Sequence, residues 1–412
     1  MKKNFFILAS AALVGFSFLT SCSDDNDPKL PSMDEITVTD GAGLSLTVNG
    51  QPMLGKTVKF TPDATDATKG TLTISSTFDL TAIPGYTDGM IEGNNLQAPG
   101  MLPGSPVTEI PVTLLTDGDA YTFSGNGDAD YCTYSYSGKI EKTSISLDVK
   151  DVKLKNTSLA GTTWKLNQFN GDATNQDEFP FHIVWEPYDS MDPSQSANIT
   201  IDLGFPMQMP IQDVLKLALA IPMLENPSDP EGDGWSAAQM LGYCLESISF
   251  MEDGNVSATY RNMKTGGTVE TSAYNMMQYV VKANGSLLLF LNPQAIAAAD
   301  AKTKAVDFDQ IIKSVMGQVL PMLANGIPMN YTTSGNRMDL YLGNDVLLPL
   351  VKGTLLPILK DEDTMKMLAD LIASNEGMAD YAQIIQGVLN SLPEALEKTT
   401  KIELGLAFTK VQ

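Results

Sequence analysis

The chain is poor in the residues on which most catalytic and nucleic-acid sites depend. His182 is the only histidine among 412 residues, and Arg261 and Arg337 are the only arginines. Phosphate clamps, histidine triads and multi-histidine metal sites therefore lack their usual side chains. Acidic residues number 49 against 26 basic ones, and the resulting net charge of -23 repels a phosphate backbone. We expect no cofactor, no metal ion and no nucleic-acid partner.

The sequence also lacks the short motifs that mark common enzyme families. It contains no Gly-x-Ser-x-Gly turn, no phosphate-binding glycine loop and no zinc-ligand spacing. We therefore expect a protein that is not an enzyme. A hydrolase that uses two carboxylates stays open, because such a pair comes together only in the fold.

What is present is an ordinary globular composition. Hydrophobic residues make up 43% of the chain and charged residues 18%, which is far from the composition of disordered chains. At roughly 150 residues per domain, the length predicts two or three domains.

The N-terminus has the pattern of a secretory signal. Lys2 and Lys3 precede an apolar stretch, Phe5 to Leu19, that is too short for a stable membrane span. It ends in Leu-Thr-Ser-Cys, which resembles the bacterial lipobox. That resemblance implies that residues 1–21 are removed and that Cys22 carries the lipid anchor.

An acidic run follows Cys22 and predicts a flexible tether over residues 22–35. The run Ser-Asp-Asp-Asn-Asp resembles the export signal of Bacteroidota-type lipoproteins. Together with the layout below, it makes the chain similar to the multidomain surface lipoproteins of Bacteroidota-type gut bacteria. The resemblance implies a lipid-anchored protein on the outer membrane, exposed at the cell surface, with no enzymatic role.

Residues 36–156 predict an all-β domain. Apolar residues alternate with polar ones in short runs that end in turn residues, as in Leu44, Leu46 and Val48. Gly125 to Asp128 separates two such runs as a hairpin turn would. We expect an antiparallel sandwich or barrel.

Residues 157–412 predict an α+β domain in which helices are inserted into a sheet. The segment from Gly161 to Leu166, with two residues between the glycine and Trp164, resembles the opening of lipocalin-like domains. The resemblance implies a curled antiparallel sheet. Two further hairpins support it, with turns at 252–255 and 284–285. Helical stripes occur at 211–221, 308–323 and 381–389.

An apolar double repeat with two prolines, residues 346–361, is the oddest segment of the chain. It predicts either the wall of a pocket for an apolar or amphiphilic ligand or simply core helices. We expect the two prolines to kink or break any helix here. The candidate ligand-binding residues are Leu347, Leu348, Leu350, Leu355, Leu356, Ile358, Met316 and Met322.

A second candidate site collects aromatic and carboxylate side chains suited to sugar binding. A strand that ends in a Pro-Tyr-Asp turn explains the same pattern. The residues are His182, Trp185, Glu186, Tyr188 and Asp189. Three hypotheses therefore stand: an apolar-ligand protein, a glycan-binding accessory lipoprotein, and a structural or adhesion module without a small ligand. The sequence leaves the oligomeric state open.

Overall fold

The protein is built from two large curled β-sheets. The computed structural model describes residues 34–82, 95–186, 198–202, 206–224, 226, 234–262, 267–282, 285–292, 322–361, 364–367 and 382–411. The sheets are mostly antiparallel; the first forms a nearly closed barrel and the second a curled half-barrel. This confirms the expected barrel and the curled second sheet.

The first sheet comes from the N-terminal half of the described chain. Its strand order is β8-β5-β4-β1-β2-β12-β11-β10-β9, and β3 pairs with β2, whereas β6 and β7 pair separately. The strands are β1 (Ile36–Asp40), β2 (Gly43–Val48), β3 (Gln51–Pro52), β4 (Thr57–Pro62), β5 (Lys69–Ser75), β6 (Thr77–Asp79), β7 (Asn95–Gln97), β8 (Thr108–Thr113), β9 (Leu115–Asp117), β10 (Ala120–Asp128), β11 (Cys132–Ile140) and β12 (Ile145–Leu154).

The expectation of a purely antiparallel first sheet is wrong at its centre. Strand β2 pairs in parallel with both β1 and β12. The alternation of side chains is the same in parallel and antiparallel strands, so the hydrophobic pattern carries no information on direction. The barrel is nearly closed because β8 returns to the other end of the sheet, where the Tyr136 hydroxyl on β11 donates to the Pro111 carbonyl on β8 at 2.9 Å.

The second sheet has the order β21-β20-β19-β13-β26-β25-β24-β23-β22, and β14 also pairs with β26. Both hairpins predicted for this half are present. The strands of this half are β13 (Thr162–Leu166), β14 (Phe181–Glu186), β15 (Ile199–Asp202), β16 (Pro206–Met209), β17 (Pro222–Leu224), β18 (Trp235–Ser236), β19 (Leu245–Phe250), β20 (Val256–Asn262), β21 (Thr268–Thr271), β22 (Met277–Val281), β23 (Ser286–Leu291), β24 (Ile327–Ser334), β25 (Arg337–Leu342) and β26 (Lys401–Lys410).

Helices are few in the described part of the chain, so the α+β class is not confirmed. The predicted stripe at 308–323 lies outside the described residues up to position 321, and so does Met316. Ser236 begins α2 with a complete capping box to Gln239. The helices are α1 (Ile211–Ala220), α2 (Ala237–Cys244), α3 (Asn344–Leu350), α4 (Leu356–Leu359) and α5 (Ala382–Lys398).

One hydrophobic core runs through both sheets. It contains Val149 and Leu154 of the barrel together with Trp164, Tyr279 and Phe408 of the second sheet. The domain boundary at residue 156 stays a prediction, since what the structure shows is continuous packing on both sides of it.

A buried loop supports this junction. All residues of segment 98–103 are buried. Pro103 lies beside Gly254, where an added Cβ would meet its ring. The loop therefore packs one sheet against the other.

Two further observations concern the membrane and the thiols. No helix in the described residues combines the length and apolarity needed to cross a bilayer. Cys132 and Cys244 are both free; Cys132 is buried, and burial raises the pKa of its thiol to about 11. A thiol with that pKa stays protonated and unreactive at neutral pH.

Candidate functional site

The apolar segment predicted as a ligand wall is packed as core. Helix α3, a π-helical turn over Val351–Leu355 and helix α4 form one helical run. The expected break at the two prolines is absent: Pro349 lies inside α3, and beyond it the Leu356 N–H donates to the Val351 carbonyl across the π-helical turn. Pro357 lies in the first turn of α4, where the missing N–H of a proline is tolerated.

The side chains of this segment meet others of the same core. Leu347 and Val351 are buried beside Ile201, Leu396 and Ile402. The half-buried members that pack against this cluster are Leu348, Leu350, Leu355 and Leu356. Ile358 and Met322 are each half-buried. The clefts described below lie elsewhere in the molecule.

Strand β14 separates the residues predicted as an aromatic platform. Trp185 packs against the apolar cluster around Leu347, and its indole N–H donates to Thr399 Oγ1 at 2.9 Å. His182 is three residues away and therefore lies on the opposite face of the strand. Glu186 is half-buried, whereas Tyr188 and Asp189 lie outside the described residues. The structure does not bring His182 and Trp185 together.

His182 instead belongs to a charged cluster on the polar face of β14, β25 and β26. Its Nε2 lies 3.0 Å from Glu403 Oε2, and its Nδ1 lies 3.7 Å from Asp339 Oδ1. Arg337 donates to Asp339 from Nε at 3.1 Å and from Nη2 at 2.7 Å. The imidazole stacks on Tyr341 with ring centroids 4.5 Å apart.

A glycine makes that stacking possible. Gly405 on β26 pairs with His182 on one side and with Tyr341 on the other. Because glycine has no side chain, nothing separates the two rings across the central strand. An added Cβ here would meet the Leu340 carbonyl and the backbone of Tyr341.

The cluster stabilises the charged forms of His182 and Asp339. Burial disfavours the imidazolium form of His182, but the hydrogen bonds and charges of Asp339 and Glu403 outweigh it and raise the pKa of His182. Burial also disfavours the Asp339 carboxylate, yet His182 and Arg337 outweigh it and lower its pKa. These groups satisfy one another, which is typical of a structural ion network.

This arrangement predicts a pH-dependent effect of His182→Gln. A raised pKa means that the contribution of His182 is complete below about pH 6.5 and is lost as the pH rises through the folded-state pKa. The variant should therefore lose more stability at pH 5.5 than at pH 8.5 in urea unfolding. Tyr341→Phe keeps the ring and serves as the control, with the same loss at both pH values. An equal loss for His182→Gln at the two pH values would contradict the assignment.

Two adjoining clefts lie at the junction of the two sheets. One has a volume of 460 Å³ and the other 350 Å³. Both are lined by Asn49, Met251 and Asp253, so they meet at these residues. The remaining wall of the larger cleft includes Asp151, Lys153, Thr162, Thr163, Ser249 and Glu252. The remaining wall of the smaller cleft includes Gln51, Asn255, Ser257, Ser272 and Tyr274.

The barrel side of these clefts includes two residues whose backbone is in the left-handed conformation. Asn49 has φ 49° in the turn between β2 and β3, and Asp151 has φ 53° within β12. Asp151 lies in a β-bulge, because Lys150 to Lys153 spans one residue more than the facing stretch of β11. Asn and Asp tolerate this conformation better than other side chains. The bulge turns Lys150 and Asp151 outward in succession.

Asp253 joins the two sheets from the other side. Its Oδ2 accepts from Asn49 Nδ2 at 3.1 Å and from the Tyr274 hydroxyl at 2.9 Å, and its Oδ1 accepts from the Asn255 N–H at 3.0 Å. Asp253 is only 8% exposed, and among the described residues no lysine or arginine forms an ion pair with it. Burial and the Asp253 charge raise the pKa of Tyr274, so its hydroxyl stays protonated as a donor.

A buried amide network supports Asp253 where the second sheet curls back on itself. Asn255 and Gln278 form an isolated bridge between the start of β20 and β22. Asn275 donates its N–H to Asn255 Oδ1 at 3.1 Å and accepts from Gln278 Nε2 at 2.8 Å. These side chains hold the turn that carries Asp253 in one position.

Sequence reasoning missed Asn49, Asp151 and Asp253 as site residues. The Asn49-Gly50 pair is a recognisable turn signal, and the turn at 252–255 was predicted as a hairpin turn only. No sequence spacing connects positions about one hundred residues apart. The described residues contain no group of three or more His, Cys, Asp or Glu side chains able to hold a metal ion.

Comparison of the chain with protein-family models, curated proteins and solved structures finds no match in any of the three. Function must therefore be inferred from the site itself.

Proposed function

We propose that the protein is a non-catalytic, surface-exposed lipoprotein of the outer membrane that binds a neutral glycan in the two clefts at the junction of its sheets. The observation that carries the proposal is the wall that these clefts share, formed by Asn49, Met251 and Asp253. The membrane location rests on the lipobox-like sequence around Cys22, which lies outside the described residues.

The chemistry of the walls suits a polyhydroxylated ligand. Carboxylates, amides and hydroxyls line both clefts. Sugar hydroxyls can donate hydrogen bonds to the carboxylates, and they can both donate to and accept from the amides and hydroxyls. Volumes of 460 and 350 Å³ fall in the range of small-molecule sites. Asp151, Glu252 and Asp253 share the larger cleft with a single cation, Lys153, so an acidic sugar would be repelled.

An apolar or amphiphilic ligand has less support. Five of the side chains predicted to bind it pack in one cluster with residues of β15, α5 and β26; they are Leu347, Leu348, Leu350, Leu355 and Leu356. The resemblance of the second half to lipocalin-like domains implies a curled sheet, but it does not identify a ligand.

The proposal predicts retardation of the protein in native gels that contain a neutral polysaccharide. The probes are amylopectin, yeast mannan, galactomannan, xyloglucan and laminarin, with polygalacturonate and heparin as acidic probes. We expect retardation by at least one neutral probe and by neither acidic one. Asp151→Asn and Glu252→Gln should each weaken binding about tenfold, since each alters one charged hydrogen-bond acceptor of the wall.

Glu109→Gln, at an exposed position on β8, is the matched control and should bind like the unmodified protein. Fluorescent polysaccharide should label intact cells that carry the full chain but not those that carry Cys22→Ala. Migration unaffected by all five neutral probes, or stabilisation by added fatty acid instead, would overturn the proposal.

A further inference from the structure

The outer face of the barrel carries a third cleft close to the first two. Its volume is 480 Å³. Strands β2, β12, β11 and β10 present polar side chains there in matched registers, so that Thr47, Asp148, Ser137 and Ser124 follow one another across the sheet. Thr47 donates to Asp148 Oδ1 at 2.7 Å. The cleft is open, and hydrogen-bonding groups line it together with the apolar residues Leu115, Phe123 and Leu147.

The two central strands connect this third cleft to the junction. β2 and β12 run in parallel, with Ser45 beside Ser146 and Thr47 beside Asp148. Continuing in the same direction, β2 leads to Asn49, whereas β12 leads to Asp151 and Lys153 in the larger junction cleft. The path from Ser45 to Asn49, where β2 ends in the turn to β3, covers four residues, or roughly 13 Å at about 3.3 Å per residue.

Two lysines of the barrel face are paired with carboxylates. Lys150 forms an ion pair with Asp148, and Lys139 forms one with Glu141 at 3.3 Å. These two ammonium groups therefore offer little free charge to an anionic chain, and in the larger cleft three carboxylates face the single Lys153.

We infer that the ligand is an extended segment of a neutral polysaccharide, which lies along β2 and β12 and occupies the barrel face and the junction clefts together. This inference rests on the proposed function and adds to it the length and the path of the ligand. A chain that spans both regions gains contacts on the barrel face that a disaccharide in the junction does not reach.

The test is the dependence of affinity on chain length. Oligosaccharides of two to ten units are prepared from whichever neutral polysaccharide retards the protein, and their binding is measured by titration calorimetry. We expect affinity to rise at least tenfold from two units to the longest chains. Ser137→Arg, which fills the barrel-face cleft, should reduce the affinity for long chains to that for the disaccharide and leave the disaccharide affinity unchanged.

Thr333→Arg introduces the same side chain at an exposed position of β24 and should have no effect. Binding that is already complete at two units would overturn the inference and leave the proposed function standing. Absence of binding by every neutral polysaccharide overturns both. The length series uses the unmodified protein, so the inference stays testable even if Ser137→Arg does not fold.

Discussion

Replacing Lys56 with methionine is expected to remove a pH-dependent contribution to stability of about 2 kcal/mol between pH 7 and pH 9.5. Lys56 is 1% exposed, immediately before β4, and its ammonium donates to the Pro99 carbonyl at 2.6 Å. Among the described residues no carboxylate forms an ion pair with it. Burial alone lowers its pKa from 10.5 to about 8.

The direction of the effect follows from proton binding. Between pH 8 and pH 10.5 the unfolded chain keeps the proton that the folded chain has released, so stability from this group rises with pH. At pH 7 both states are charged, and the buried charge costs about 3 kcal/mol. The advantage of Lys56→Met over the unmodified protein should therefore be greatest at pH 7 and shrink as the pH rises.

Urea unfolding at pH 7, 8.5 and 9.5 measures this difference. The quantity of interest is the difference in unfolding free energy between Lys56→Met and the unmodified protein. Tyrosine ionisation cancels in this difference, because both proteins contain the same tyrosines. Lys59→Met, on the exposed side of β4, is the control and should change stability by no more than about 1 kcal/mol. A difference between Lys56→Met and the unmodified protein that stays constant with pH would show that Lys56 is not buried as a charge.

The second large effect is expected for Asp253→Ala, with a loss of about 3 kcal/mol in the free energy of unfolding. The substitution leaves three donors, from Asn49, Tyr274 and the Asn255 backbone, without their acceptor. Each buried donor left unpaired costs about 1–3 kcal/mol. The Asn49 amide is exposed and can donate to water instead, so its loss contributes less to the total.

A double-mutant cycle isolates the bond between the sheets. Asn49→Gly removes the amide and keeps the left-handed turn, since glycine adopts φ 49° freely. We expect the double variant to lose about 1 kcal/mol less than the two single losses added together, because the Asn49 donor is orphaned only in Asp253→Ala. Asp119→Ala, at an exposed acidic turn residue, should change stability by less than about 0.5 kcal/mol. Strict additivity would mean that Asn49 and Asp253 do not interact.

Much of the local structure follows from the sequence because it depends on neighbouring residues. The hairpins β10–β11, β19–β20 and β22–β23 were predicted from period-two alternation around turn residues, and all are present. The turn predicted at Gly125 to Asp128 is wrong in position, because these residues pair as the end of β10 and the turn follows at 129–131. The capping box at the start of α2 is equally local, because Ser236 and Gln239 are only three positions apart.

The candidate sites were harder to predict because they depend on which face of an element is covered. The sequence around β14 groups His182 with Trp185, but the strand directs one toward Asp339 and the other toward the apolar cluster. The leucines at 347–356 were predicted either as core or as the wall of a pocket, and only the structure shows that they pack with Ile201, Leu396 and Ile402.

By itself, the sequence determined the short-range structure of this protein: its strands, its tight turns, its helix cap and a charge that opposes polyanion binding. The tertiary structure alone decided that β2 runs parallel to its neighbours, that one helical run continues past two prolines, and that Asn49, Asp151 and Asp253 meet in one cleft. The physical reason is the separation along the chain over which each kind of interaction acts. Alternation and capping act over a few residues, whereas strand direction and the walls of a cleft are set by contacts between segments a hundred residues apart.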